Sequence, residues 1–176
     1  MTGITDMMKK AVIVYGAGIS GRGAAGVLAQ AGQQVFLYND NPCTIEQELQ
    51  VALQAAGGAL IIGEAAFAAT LAQAGLVVLS PGVPCDNKNV LLAERMQDVE
   101  VISEVELAYR LYKGHMAAIT GTNGKTTTTT IVGEMFKRLP VPSAVGGNIG
   151  LALSKEVQGL PDEAWLAAEL SSFQLE

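Results

Sequence analysis

Ile119-Thr120-Gly121-Thr122-Asn123-Gly124-Lys125-Thr126-Thr127 is the stretch from which the rest of the chain is read. An apolar run, Met116 to Ile119, precedes it. Thr128 to Arg138 follows, with Ile131, Val132, Met135 and Phe136 recurring at helical spacing. Strand, glycine-rich turn and helix, with a lysine and a hydroxyl at the helix start, form the context of a phosphate-binding loop. Glycines let the backbone approach phosphates and aim its N–H groups at them, and the helix N-terminus adds partial positive charge. Gly121, Thr122, Asn123, Gly124, Lys125, Thr126 and Thr127 are therefore candidate phosphate-binding residues. Lys125 would reach the β/γ-phosphates and the Thr126 hydroxyl would face Mg²⁺. The general pattern places a glycine where Ile119 stands, so the loop is a shorter variant, Gly-Thr-Asn-Gly-Lys-Thr. A glycine-rich turn opening an ordinary helix is the plain alternative.

Beyond that helix, Leu139-Pro140-Val141-Pro142 is a break, and Ser143 to Val145 reads as a strand running into Gly146-Gly147-Asn148-Ile149-Gly150. Two glycines at a strand end suggest close approach of the backbone to a ligand. Leu151 to Gln158 reads as a helix. Trp165 to Leu170 is an apolar strand with one carboxylate, Glu169, near its end. A charge there needs a partner. The partner expected is the Mg²⁺ that Thr126 also faces, with a salt bridge to a lysine as the alternative.

Upstream, Ala11 to Tyr15 is a short, fully apolar run of the kind that forms a buried parallel strand. Gly16-Ala17-Gly18-Ile19-Ser20-Gly21 follows and matches G-x-G-x-x-G. A helix capped by Ser20 should run to Gly32, a second strand from Gln34 to Tyr38, and Asp40 lies just past its end. A strand–helix–strand unit with an acidic residue about 20 positions after the glycines fits the dinucleotide fingerprint, so an NAD- or FAD-binding module is one reading. The glycine turn by itself says only that a phosphate or sugar-phosphate sits on the helix N-terminus, and Asp40 could meet another hydroxyl or water.

A helix capped by Thr44 is expected to Ala56, a short strand at Leu60 to Ile62, a helix over Ala65 to Ala74 and a buried strand at Leu76 to Leu79. That strand enters Ser80-Pro81-Gly82-Val83-Pro84, a turn at the end where open α/β sheets bind ligands. A helix at Asn89 to Met96, a strand at Val99 to Ile102 and a helix opened by the capping box Ser103-Glu104-Val105-Glu106 complete the first half. Lys113-Gly114 marks the domain boundary. His115, the single histidine, carries no expected role.

A 49% hydrophobic content and a mean hydropathy of +0.32 suffice for a core, which excludes a disordered chain. The net charge of −6 argues against a nucleic-acid surface or an anionic membrane surface, so phosphate binding must be local to loops. Cys43 and Cys85 are too few for a disulfide framework, and no metal-ligand spacing involves them. No apolar run reaches about 18 residues, and Met1 to Lys10 lacks the apolar core of a signal peptide. A cytoplasmic protein is expected.

Thr120 to Thr127 (TGTNGKTT), Val145 to Gly150 (VGGNIG) and Glu169 to Glu176 (ELSSFQLE), in this order, resemble the Mur ligases, the ATP-dependent amide-forming enzymes of bacterial peptidoglycan synthesis. Ser80-Pro81-Gly82 and Ser103-Glu104-Val105-Glu106-Leu107 also fit. The resemblance implies an α/β chain: a Rossmann-like parallel-sheet domain, residues 1–113, binding a UDP-substrate, then the first part of a P-loop ATPase domain, residues 114–176. The ELSSFQLE stretch points within the family to addition of D-glutamate to UDP-N-acetylmuramoyl-L-alanine through an acyl phosphate. Another family member with a different amino-acid substrate, and a generic phosphate-loop NTPase, are the rivals. By the same resemblance Ile19 and Ser20 contact the diphosphate, Asp40 and Asn41 the uridine side, Gly82 the nucleotide and Asn148 the muramoyl part. Lys125 and Thr126 hold the phosphates of ATP, Thr126 and Glu169 ligate Mg²⁺, Lys125 and Glu169 are the catalytic pair, and Ser171 lies by the substrate. Family members continue well past Glu176 and are expected to be monomers in full-length form. The chain thus reads as an N-terminal fragment, inactive alone.

Overall fold

The apolar run Ala11–Tyr15 forms β1, and every residue of it is buried, which puts the strand in the middle of a sheet rather than at its edge. The computed structural model describes residues 10–147 and 152–174. After β1 come α1 (Ile19–Gln30), β2 (Val35–Asn39), α2 (Gln47–Ala55), β3 (Ala59–Ile62), α3 (Glu64–Leu71), β4 (Ala74–Leu79), α4 (Lys88–Glu94) and β5 (Glu100–Ser103). These strands make a five-stranded parallel sheet in the order β3-β2-β1-β4-β5. The chain winds outward from β1 to β3 and then returns to the other side of β1 as β4. The crevice between the carboxyl ends of β1 and β4 is therefore the switch point, where a parallel sheet leaves room for a ligand.

Parallel register places Tyr15 opposite Tyr38. Their rings meet edge to face with centroids 4.7 Å apart, and Phe67 of α3 packs 4.7 Å from Tyr38. Ile13, Leu71, Val77 and Val90 close this core. Each fully buried side chain of this size contributes about 1.5–3 kcal/mol relative to exposure.

Two expected caps differ. α1 starts at Ile19 with Gly18 as N-cap and no side-chain cap, so Ser20 lies inside the first turn. The extended N-cap position falls on Gly18, two residues before the serine. α2 starts after Glu46 rather than Thr44; the Thr44 carbonyl instead accepts a hydrogen bond from Arg22 Nη2 at 2.9 Å.

The chain continues with α5 (Glu104–Leu111), β6 (His115–Ile119), α6 (Lys125–Phe136), β7 (Ser143–Gly147), α7 (Leu153–Val157), β8 (Trp165–Glu169) and a 3₁₀ turn, Ser172–Gln174. Its strands form a parallel sheet in the order β6-β8-β7. Val105 and Ala108 of α5 pack with Leu153, Val157, Leu166 and Leu170, and the Tyr112 hydroxyl donates to the Ala164 carbonyl at 2.8 Å. The two compact units accordingly divide as Met1–Glu104 and Val105–Glu176. The apolar face of α5, upstream of the Lys113-Gly114 break, is spent on this second core. Among the described residues β6 and β7 are both edges. On α6, Ile131 and Met135 are 55% and 62% exposed, so this helix covers the small sheet with only part of its apolar surface.

His115 stands at the start of β6, its ring stacked on Trp165 with centroids 4.6 Å apart. It lies at the opposite end of that strand from the glycine loop.

Candidate functional site

In the first unit a cavity of about 410 Å³ opens at the switch point. Ile19, Ser20, Asp40 and Gly82 all line it, together with the glycine turn 16–18 and Ser80. Asn41 is not among its lining residues; its carbonyl accepts a hydrogen bond from Asn39 Nδ2 at 2.9 Å. Ile19 is 71% exposed at the first helical position, an apolar side chain at the rim of a cavity that Pro81, Val83 and Pro84 also line. The N-cap of α1 makes no side-chain cap, so the positive end of this helix is able to take an anion.

Close packing explains the glycines. Gly16 has φ +99°, and a Cβ there would touch the Ser80 side chain. A Cβ on Gly21 would collide with the Gly16 carbonyl oxygen and crowd Ser80 Oγ. The Ser80 hydroxyl itself donates to that carbonyl at 3.0 Å, tying the β4 turn to the β1 turn.

Two further straps hold the cavity, and neither stands out in the sequence. Asn39 Oδ1 accepts from the Ala17 N–H at 3.1 Å. Arg22 donates from Nε to the Ala17 carbonyl at 2.7 Å and pairs through Nη1 with Glu46 at 2.8 Å.

Asp40 is held by tyrosines. The Tyr15 hydroxyl lies 2.9 and 2.8 Å from its Oδ1 and Oδ2, and the Tyr38 hydroxyl donates to Oδ1 at 2.7 Å. Asn89, buried on α4, donates through Nδ2 to the Tyr38 oxygen at 3.0 Å. Burial first, and the Asp40 carboxylate second, push the Tyr15 hydroxyl up to about 12 and raise Tyr38 as well. Both phenols therefore keep their protons and remain donors. Asp40 does meet hydroxyls, as one reading of the sequence allowed, but they belong to the protein.

In the second unit the loop 120–124 joins β6 to α6 with its residues exposed. Gly124 is the N-cap at φ +75°, left-handed backbone that favours glycine. Lys125 Nζ donates back to the Gly121 carbonyl at 2.8 Å and arches over the loop. The threonine run that follows would make a weak helix on propensity. Thr129 and Thr130 satisfy their hydroxyls on the carbonyls of Lys125 and Thr126, at 2.9 and 2.8 Å.

Glu169 ends β8, in register with Ile119 on one side and Gly147 on the other. The Leu170 N–H donates to the Ile119 carbonyl at 2.9 Å, so this strand end lies beside the root of the loop. Glu169 is only 4% exposed, and its Oε2 has no hydrogen-bond partner among the described residues. A buried carboxylate oxygen without a donor costs free energy unless a cation meets it. The lysine salt bridge considered from the sequence does not occur among the described residues.

The two glycines of VGG serve internal contacts. A Cβ on Gly147 would strike the Glu169 backbone, and one on Gly146 would strike the Glu156 carboxylate, whose pKa burial raises. The close approach expected there is made by the chain itself. Ser171 donates from both N and Oγ to Gln174 Oε1, at 2.8 and 2.9 Å. Asn148 lies outside the described residues.

A five-stranded Rossmann-like sheet with a glycine turn at its switch point, followed by a parallel sheet carrying a phosphate-loop sequence, defines an α/β protein with two strand–glycine turn–helix units. Residues 119–175 match the family model of the Mur ligase middle domain. The chain is 42% identical over 171 residues to the UDP-N-acetylmuramoylalanine–D-glutamate ligase of Lachnospira eligens, covering 97% of this chain and 38% of that protein. It is 41% identical over 180 residues to the ligase of the same name from Acidobacterium capsulatum, covering 97% and 37%. The chain belongs to the Mur ligase family. It spans less than two fifths of the length of these relatives. A solved structure of the UDP-N-acetylmuramate:L-alanyl-gamma-D-glutamyl-meso-diaminopimelate ligase from Neisseria meningitides aligns over 94% of this chain and 55% of its own, with TM-score 0.51 and 18% identity, a likeness of fold.

Proposed function

We propose that the chain carries the UDP-substrate site and the ATP-phosphate loop of a cytoplasmic ligase that adds D-glutamate to UDP-N-acetylmuramoyl-L-alanine in peptidoglycan synthesis. The observation that carries this reading is the orphaned Oε2 of Glu169 beside the root of the Gly121–Lys125 loop. A buried carboxylate oxygen without a donor beside a phosphate loop fits a divalent cation. Glu169 and the Thr126 hydroxyl are the groups that would hold Mg²⁺, which supplies charge neutralisation to the phosphates when bound.

The reaction transfers the γ-phosphate of ATP to the alanyl carboxylate, giving an acyl phosphate, and the amine of D-glutamate then displaces phosphate to form the amide. In it Lys125 and the loop N–H groups bind and orient the phosphates and offset their charge. The alanine-bearing nucleotide is held in the first unit: diphosphate at the N-terminus of α1 by Ile19 and Ser20, nucleotide by Gly82, uridine side by Asp40 and Asn41. Asn148 and Ser171 are assigned to the sugar–peptide end of the substrate. The domains are proposed as 1–113 for UDP-substrate binding and 114–176 for the first part of the ATP-binding domain. On this assignment the 176 residues do not turn over alone, and the full-length form acts as a monomer.

Thermal unfolding of the chain with UDP, NAD⁺ and ATP–Mg²⁺ in parallel tests the reading. A ligand specific to the folded state at about 100 times its Kd adds roughly 2.7 kcal/mol. UDP and ATP–Mg²⁺ should each raise the midpoint. A rise with NAD⁺ and none with UDP would assign the first unit to a dinucleotide, as Gly16-x-Gly18-x-x-Gly21 read literally suggests.

A further inference from the structure

We infer that Tyr15, Tyr38 and Asn89 form a specificity device: they fix the Asp40 carboxylate so that the cavity selects a nucleoside presenting an N–H or O–H donor at the end of β2. The inference rests on the reading of the first unit as a nucleoside-diphosphate site and says how its nucleoside end is chosen.

The geometry is unequal between the two carboxylate oxygens. Oδ1 accepts from Tyr38 at 2.7 Å, shares the Tyr15 proton at 2.9 Å and has Asn89 Nδ2 at 3.4 Å. Oδ2 has, among the described residues, only its share of the same Tyr15 proton at 2.8 Å. One hydroxyl proton cannot fully serve two acceptors, so Oδ2 keeps capacity for one more donor. Asp40 lines the cavity, and a ligand group meeting Oδ2 must bring a hydrogen. An acceptor placed there would face another acceptor oxygen with no hydrogen between them.

The phenols offer that ligand almost no surface, although Tyr15 lies in the cavity wall. Tyr38 and Tyr15 are 0% and 1% exposed, and their rings are locked against each other and Phe67. Asn89 is 5% exposed and donates to the Tyr38 oxygen, so the Tyr38 proton is directed at Asp40. These three residues act through Asp40 and are positioning residues. A free Asp40 in the polar Asn39–Asn41 turn would rotate and accept from any donor or from water; a fixed one discriminates.

Two nucleoside groups offer the required donor, a ring N–H and a ribose hydroxyl, and titration calorimetry with defined probes separates them. The 176-residue chain is titrated with UDP, CDP, 2′,3′-dideoxy-UDP and inorganic pyrophosphate, in the native form and as Tyr38→Phe and Asn89→Ala. Pyrophosphate has no nucleoside and serves as the reference in each protein. The native chain should prefer UDP by about tenfold over one of the two analogues, the scale of one hydrogen bond to a charged group. CDP, with an acceptor at the ring position, is the weak ligand if the donor is the ring N–H. The dideoxy compound is the weak one if it is a hydroxyl. In Tyr38→Phe that preference should fall to within about twofold, and UDP should lose about tenfold relative to pyrophosphate.

Circular dichroism establishes that each variant is folded, and Asn89→Ala decides if Tyr38→Phe is not. An undiminished preference in the folded variant overturns the inference. So does a native chain that binds UDP and both analogues equally, which would leave the nucleoside-diphosphate reading standing. A native chain that binds neither UDP nor pyrophosphate overturns that reading too.

Discussion

The two strand–glycine turn–helix units place a carboxylate at the end of a neighbouring strand, and they treat it in opposite ways. Asp40, after β2, is surrounded by donors from Tyr15, Tyr38 and Asn89. Glu169, at the end of β8, is far more buried, yet one of its oxygens has no donor among the described residues. A carboxylate supplied with hydrogen bonds is finished by the protein and serves as a fixed template. One denied them is finished only by something that arrives. The turns differ in the same sense: the first is strapped by Ser80, Asn39 and Arg22, while the second stands exposed with Lys125 arched over Gly121. On the proposed reading one motif serves recognition in the first unit and phosphate chemistry in the second, and the difference lies in what the adjacent strand end supplies.

Substitution of the glycines should break the symmetry most. Gly21→Ala drives a methyl into the Gly16 carbonyl, whereas Gly124→Ala meets open space and strains only the left-handed backbone. Thermal unfolding should record a loss of about 3 kcal/mol for the first and about 1 kcal/mol for the second. Equal losses would mean that the two turns are held alike.

Lys125→Ala should weaken ATP–Mg²⁺ binding by roughly a hundredfold while leaving the UDP titration unchanged, because its ammonium serves the phosphates alone. A parallel loss of UDP affinity would contradict the division of labour.

Glu169→Gln sharpens the contrast between the carboxylates. Removing a buried charge with one oxygen left without a donor should raise the stability of the unliganded chain by about 1 kcal/mol and abolish the gain in ATP affinity that Mg²⁺ provides. A lower midpoint would instead indicate a structural ion pair.

The smallest effect is confined to alkaline pH. The Tyr15 hydroxyl is raised from 10.0 to about 12, so the folded chain holds this proton longer than the unfolded one. Its contribution to stability is intact below pH 10 and should drain away as pH rises through about 12. Tyr15→Phe should flatten that part of a pH–stability curve.

Much of this was legible because local composition determined it. Ala11–Tyr15, the apolar end of β4 and residues 165–168 of β8 are apolar without alternation, as strands covered on both faces must be. The loop Gly121–Lys125 was legible from residue types alone. The tyrosine cluster was not, since Tyr15 and Tyr38 meet only through the parallel register of β1 on β2, and Asn89 arrives from α4. Arg22 and Asn39 escaped notice because they act on backbone groups, which no side-chain pattern betrays. The packing of α5 was not legible either, because Lys113-Gly114 is the strongest local punctuation there and Val105 and Ala108 meet their core partners only in the fold.

The order β6-β8-β7 also governs the moment at which the phosphate loop can take shape. Among the described residues β6 and β7 each pair only with β8, which the ribosome makes last of the three. β1, by contrast, finds β2 as soon as one helix has been made. A nascent chain therefore emerges with its first sheet able to zip up strand by strand, while β6 waits unpaired until Trp165–Glu169 has cleared the exit tunnel. Until then its apolar backbone edge is open to wrong partners, and this interval is where binding of a chaperone to the growing chain would matter most.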